Sequence, residues 1–81
     1  MENITFASQM TDFRIRQYGR TELAQCYSPA LTPEAAWRKL RSWISRDAHL
    51  SRALDALGYD PHSRSFTPLM VAEIVHHLGR P

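Results

Sequence analysis

The chain has 81 residues, a hydrophobic fraction of 43%, one cysteine, and ten Lys and Arg against eight Asp and Glu for a net charge of +2. That length allows one domain around one small core, and the apolar content excludes a wholly disordered chain. A single cysteine excludes an internal disulfide and suits a reducing compartment, and no stretch approaches the ~18 apolar residues of a membrane span.

Residues 1–12 are polar without a sustained period and are expected to form a flexible N-terminal arm. They lack a basic start followed by an apolar run, so no signal peptide is expected and the location expected is cytoplasmic. Phe13-Arg14-Ile15-Arg16 alternates apolar and basic residues. This is the pattern of a short half-buried strand with Phe13 and Ile15 inward, or of an extended arm packed on the body. Tyr18-Gly19 ends that segment, and Gly19 is available for whatever backbone angles the next turn demands.

Thr21 is the expected N-cap of a first helix, with Glu22 in its first turn and Leu23, Ala24, Cys26 and Tyr27 as the buried stripe. Ser28-Pro29 stops it, because the residue before proline is driven from helical angles. Thr32-Pro33 starts a second helix, with the hydroxyl as cap and proline where its missing N–H costs nothing. At 100° per residue, Ala36, Trp37, Leu40, Trp43 and Ile44 share one face. The opposite face centres on Ala35, Arg38 and Ser42, flanked by Lys39 and Arg46 on one side and Glu34 and Arg41 on the other. Asp47 is placed to cap a third helix that carries Leu50, Ala53, Leu54 and Leu57 and ends at Gly58. Tyr59 to Ser65 is a polar loop. Thr67-Pro68 opens a fourth helix, in which Phe66 staples onto Val71 and Met70, Val71, Ile74, Val75 and Leu78 are buried before Gly79. The expected fold is mainly α: a compact four-helix domain over residues 13–81 with a helix-turn-helix at Thr21–Ser45 and a short extended N-terminal segment. A core of this size stabilises by only about 3–5 kcal/mol, so docking on a partner or dimerisation is expected to help.

The charge is unevenly spread. Residues 13–46 hold seven of the ten Arg and Lys against Glu22 and Glu34, whereas both charged residues of 1–12, Glu2 and Asp12, are acidic. Such asymmetry points to an anionic partner. Arg and Lys are also ordinary on a solvated helix face. Three features favour function: the basic face belongs to the second helix of a helix-turn-helix pattern, small residues beside Arg38 permit close approach to a groove, and Arg14, Arg16 and Arg20 precede it. Thr32, Glu34, Ala35, Arg38 and Ser42 are then the expected base-facing set, since Arg reads guanine with two hydrogen bonds. Lys39, Arg41 and Arg46, with Arg14, Arg16 and Arg20, are the expected phosphate contacts.

Other chemistry is not signalled. His76 and His77 are adjacent and point about 100° apart on a helix, while His49 and His62 lie elsewhere with no cysteine at ligand spacing, so no metal is expected. Glu73 sits three and four residues before His76 and His77, the spacing of ordinary surface pairing. Trp37 and Trp43 fall on the apolar face and are expected in the core. Cys26 is expected to be an inert thiol among apolar neighbours. No nucleophile–base set, paired carboxylates or phosphate-cradling glycine loop is visible, so neither an enzyme nor a cofactor is expected.

Phe13 to Tyr27 (FRIRQYGRTELAQCY), Leu40 to Ile44 (LRSWI) and Arg64 to Pro81 (RSFTPLMVAEIVHHLGRP) resemble a family of small bacterial proteins catalogued as a domain of unknown function, forty-two forty-eight. That resemblance implies no activity. A more distant one is to the DNA-binding heads of MerR-type regulators and excisionases. There a helix bearing E-L-A precedes a recognition helix ending in Leu-Arg-x-Trp/Tyr, and S-F-T-P-L-M-V resembles their next helix start. The chain departs from them at Asp47 to Gly58, a helical segment where those heads carry a hairpin wing, and in its longer connector, Ser28 to Leu31. This likeness implies a small transcriptional regulator or excisionase-like accessory factor on double-stranded DNA, aided by a homodimer or protein partner. The alternatives are an interaction adaptor docking an acidic protein without nucleic acid, and a structural subunit with no ligand.

Overall fold

Three of the four helices begin where a short polar side chain takes a backbone N–H that the helix itself leaves unpaired. The computed structural model describes residues 13–81, in the order β1 (Tyr18–Gly19), α1 (Arg20–Tyr27), α2 (Pro33–Arg46), α3 (Ala48–Ala56), β2 (Ser65–Phe66) and α4 (Pro68–Leu78). The arm assigned to residues 1–12 lies outside the described residues. Thr32 Oγ1 accepts from the Ala35 N–H at 3.3 Å, Asp47 Oδ1 from Leu50 at 3.0 Å and Thr67 Oγ1 from Met70 at 3.3 Å. Pro33 and Pro68 occupy the first helical positions, as the Thr-Pro pairs imply.

The start of α1 differs from the sequence expectation. Gly19, not Thr21, is its N-cap, and Glu22 reaches back so that its Oε1 accepts the Gly19 N–H at 3.0 Å. A glycine cap has no side chain to accept a first-turn N–H, and the carboxylate three residues on satisfies the N–H of the cap itself. Gly19 has φ −64°, an ordinary backbone angle, so its lack of a side chain is not spent on an unusual turn there. That N–H bond first, and the Arg16 guanidinium at 3.1 Å second, hold the Glu22 carboxyl below the usual range. Gly58 and Gly79, which close α3 and α4, do adopt positive φ, 87° and 86°.

The alternating segment Phe13–Arg16 forms no strand, and Ile15 is 42% exposed. Pairing instead occurs between Tyr18–Gly19 and Ser65–Phe66, antiparallel, with Tyr18 opposite Phe66. Tyr18 is buried, stacks on Phe13 with ring centroids 5.2 Å apart, and donates its hydroxyl to the Arg14 carbonyl at 2.9 Å. The first segment thus packs as an extended strap, folded back on its own tyrosine.

Leu23 and Ala24 of α1, Ala36, Trp37, Leu40 and Ile44 of α2, Leu50 and Leu54 of α3, Phe66, and Met70, Val71 and Ile74 of α4 make one core with Tyr18. Phe66 is fully buried and touches rings on two sides, Trp37 at 6.0 Å and Tyr59 at 5.2 Å. Leu57, expected inside, is exposed because α3 ends at Ala56 and the turn to Gly58 carries it outward. Trp43, Val75 and Leu78 pack at the margin. The segment after α4 is tied back to earlier parts of the fold as well: Tyr27 donates to the Gly79 carbonyl at 2.5 Å, and Arg80 to the Phe13 carbonyl at 2.8 Å.

Candidate nucleic-acid interface

The amphipathic pattern of α2 decides what it shows to solvent. With Ala36, Trp37, Leu40 and Ile44 buried, Glu34, Arg38, Lys39, Arg41 and Arg46 are all exposed. Thr32, just before the helix, is exposed and spends its hydroxyl on the cap. Ala35 and Ser42, expected at the centre of the open face, are only half-exposed. Two cationic edges therefore flank a lower line of small side chains. One edge carries Arg38 and Arg41 beside Glu34 and Ser45, and the other carries Lys39 and Arg46.

Among the described residues, no ion pair neutralises Arg38, Lys39, Arg41 or Arg46; the ion pairs found are Arg16–Glu22 and His77–Asp47. Lys39 does rest over the Trp43 ring, its Nζ 5.2 Å from the centroid, and Trp43 meets Tyr27 edge-on at 6.2 Å. Such contacts steady a cation without removing its charge.

The three arginines ahead of α2 have separate fates. Arg14 is exposed. Arg16 is engaged within the fold: it donates to Glu22 at 3.1 Å and to the Gln17 carbonyl at 2.6 Å, and lies 3.7 Å above the Tyr18 ring. The Glu22 hydrogen bond also raises its pKa. Arg20 opens α1, and its guanidinium sits 5.3 Å over the Trp37 ring of α2 while its N–H donates to the Arg64 carbonyl. The fold thus carries Arg20 onto α2.

Beside Arg38 and Arg41, the loop between α3 and β2 rises against α2. Asp60 Oδ1 accepts the His62 N–H at 2.7 Å and the Asp60 carbonyl the Ser63 N–H at 2.8 Å, which turns the chain at Pro61. The result is a cleft of about 470 Å³ lined by Arg20, Trp37, Arg38, Arg41, Pro61 and His62, with Glu34 as its one carboxylate. In the sequence Pro61 and His62 belong to a polar loop, and nothing in its residues names α2 as the neighbour.

The remaining chemistry-bearing groups are dispersed. His77 approaches Asp47, Nδ1 to Oδ2 3.7 Å, rather than the expected Glu73, and meets His76 edge-on. Among the described residues, no group of His, Cys, Asp and Glu is arranged to hold a metal ion, and no helix is long and apolar enough to cross a membrane. Cys26 is half-buried, and burial pushes its thiol up, away from the thiolate.

Residues 14–81 match the family described as Domain of unknown function (DUF4248). The chain belongs to this family. No curated protein and no solved structure matches it. The match spans every helix of this DUF4248 domain and the exposed cations of α2, while the family's description assigns them no task.

Proposed function

We propose that this DUF4248 protein binds double-stranded DNA with α2 as its recognition helix, acting as a small transcriptional regulator or excisionase-like accessory factor. The observation that carries the reading is the exposed run Arg38, Lys39, Arg41 and Arg46, none of them held in an ion pair among the described residues. Four unneutralised cations on a 14-residue helix suit a polyanion. The close sequence of α1 and α2, and the Thr32 cap, which leaves the first turn of α2 at the surface, support a helix-turn-helix, although the connector is longer than in the heads it resembles. In that arrangement Glu34 and Arg38 meet base edges, with Ala35 and Ser42 lying lower between them and the cationic edge of Lys39 and Arg46, which holds phosphate. A single short recognition helix binds modestly, so specific sites require a homodimer or a partner protein.

The test is a salt titration of the protein on a random-sequence duplex. The expected result is affinity that falls steeply with salt and disappears when Arg38, Lys39 and Arg41 are changed together to Glu, with the helical circular dichroism unchanged. Wild-type protein that ignores duplex DNA at low salt yet captures an acidic protein would instead make α2 the surface of an interaction adaptor.

A further inference from the structure

We infer that the cleft between α2 and the α3–β2 loop is a seat for a phosphate group, held by Arg20 and Arg41 with Arg38 and His62 at the rim. On the proposed function, on which this step rests for its biological source, the phosphate is one of the duplex backbone beside the groove that α2 enters.

The argument begins with charge. Three guanidinium groups from two helices line one space of about 470 Å³, and Glu34 is the single carboxylate among its lining residues. None of the three arginines forms an ion pair among the described residues. Three like charges beside one carboxylate leave the cleft net positive, and an external anion relieves the remaining repulsion. Geometry then selects the anion. A carboxylate has two oxygens in one plane and is filled by one arginine fork, whereas a phosphate offers several oxygens in a tetrahedron to donors arriving from different directions. Arg20 comes from the start of α1, Arg38 and Arg41 from successive turns of α2, and His62 from the opposite loop.

Two features make this a prepared site rather than a patch of surface charge. Arg20 is drawn to the Trp37 ring, its Cζ 5.3 Å from the centroid, a contact that steadies the guanidinium without removing its charge. The loop is braced at its turn by Asp60, which accepts the His62 backbone N–H, and at its far end by the Arg20 backbone N–H on the Arg64 carbonyl at 2.9 Å. Trp37, 8% exposed, is covered by Arg20, so the cleft does not take a stacked base.

The test uses the full chain with Trp43→Phe, which leaves Trp37 as the only indole of the two and thus as a reporter on the cleft floor. Inorganic phosphate is titrated at constant ionic strength balanced with chloride, with Trp37 fluorescence as the readout. A saturable change is expected, weakened about tenfold by Arg41→Gln, the loss of one charge-assisted contact. Arg52→Gln, an exposed arginine on α3 outside the cleft, leaves it unchanged. No saturable change, or equal weakening by both substitutions, overturns the inference. Duplex DNA as a second probe separates it from the function proposed above. Phosphate saturation without duplex binding keeps the seat, assigns it to a small phosphorylated molecule such as a nucleoside monophosphate, and ends the DNA reading. Duplex binding with no phosphate saturation ends the seat and keeps the DNA reading.

Discussion

Tyr27 sits at the end of α1, half-buried, with its ring against Trp43 and its hydroxyl donating to the Gly79 carbonyl 52 residues away. Burial pushes its phenol from 10 up to about 12. The folded chain therefore keeps this proton through an interval in which the unfolded chain has lost it, so stability falls as pH rises from about 10 to about 12. Tyr27→Phe removes the titrating group, and with it this part of the alkaline loss; Tyr59, also raised by burial, retains its own share. At neutral pH the same substitution costs about 1 kcal/mol for the missing hydrogen bond. Urea midpoints of the two proteins across the alkaline range, alongside phenolate absorbance, check both statements. A Tyr27→Phe variant whose midpoint declines as steeply as the parent's above pH 10 contradicts the assignment.

At the scale of elements, the helices were readable because their ends are written in side-chain chemistry. Thr32-Pro33, Asp47 and Thr67-Pro68 each cap the helix they precede, and the period of Ala36, Trp37, Leu40 and Ile44 turns the buried face of α2 inward. The stretch Gly19-Arg20-Thr21-Glu22 carried two competing starts. Thr21 offered a hydroxyl, but only Gly19 has a glutamate three residues on, and the bond from its N–H to Glu22 starts α1 two residues earlier than the hydroxyl suggests. The strand pair was not readable, since Phe13–Arg16 has the alternation while Tyr18–Gly19 has the partner, Ser65–Phe66, far along the chain. Asp47 does the most at one joint. It ends α2, its carboxylate caps α3 at the Leu50 N–H, and Oδ2 lies 3.7 Å from His77 of α4. Asp47→Ala is expected to cost about 1 kcal/mol, as are Thr32→Ala and Thr67→Ala singly. Caps on separate helices with no shared partner should add, so the triple variant loses about 3 kcal/mol, most of what a core this small supplies. Thermal unfolding of the four variants beside the parent measures it, and a triple variant no weaker than any single one would show the caps to be redundant.

At the scale of the whole molecule, the charge map is a product of tertiary structure. The cations of α2 could be placed on a helical wheel, but the half-covered Ala35 and Ser42, the engagement of Arg16 by Glu22, and the arrival of Arg20 and His62 beside Arg38 and Arg41 depend on which elements meet. In the DNA-binding mode proposed above, this map sets how affinity should respond to salt. Each phosphate neutralised by a side chain releases condensed counterions, and the slope of log K against log salt steepens by ~0.9 for each. Lys39 and Arg46 lie on the edge of α2 away from the cleft. Lys39→Gln and Arg46→Gln should each flatten the slope by about 1, and together by about 2, while lowering affinity evenly for all sequences. Arg38→Gln is expected to act differently. On the proposed reading Arg38 faces the bases, so its loss is expected to cost about 1–3 kcal/mol on a preferred site and to narrow the gap between that site and random duplex. Arg52→Gln, on α3, should leave slope and preference alone. Equal slope changes for Arg46→Gln and Arg52→Gln would mean that the net charge of the domain, rather than a particular face of α2, attracts the nucleic acid.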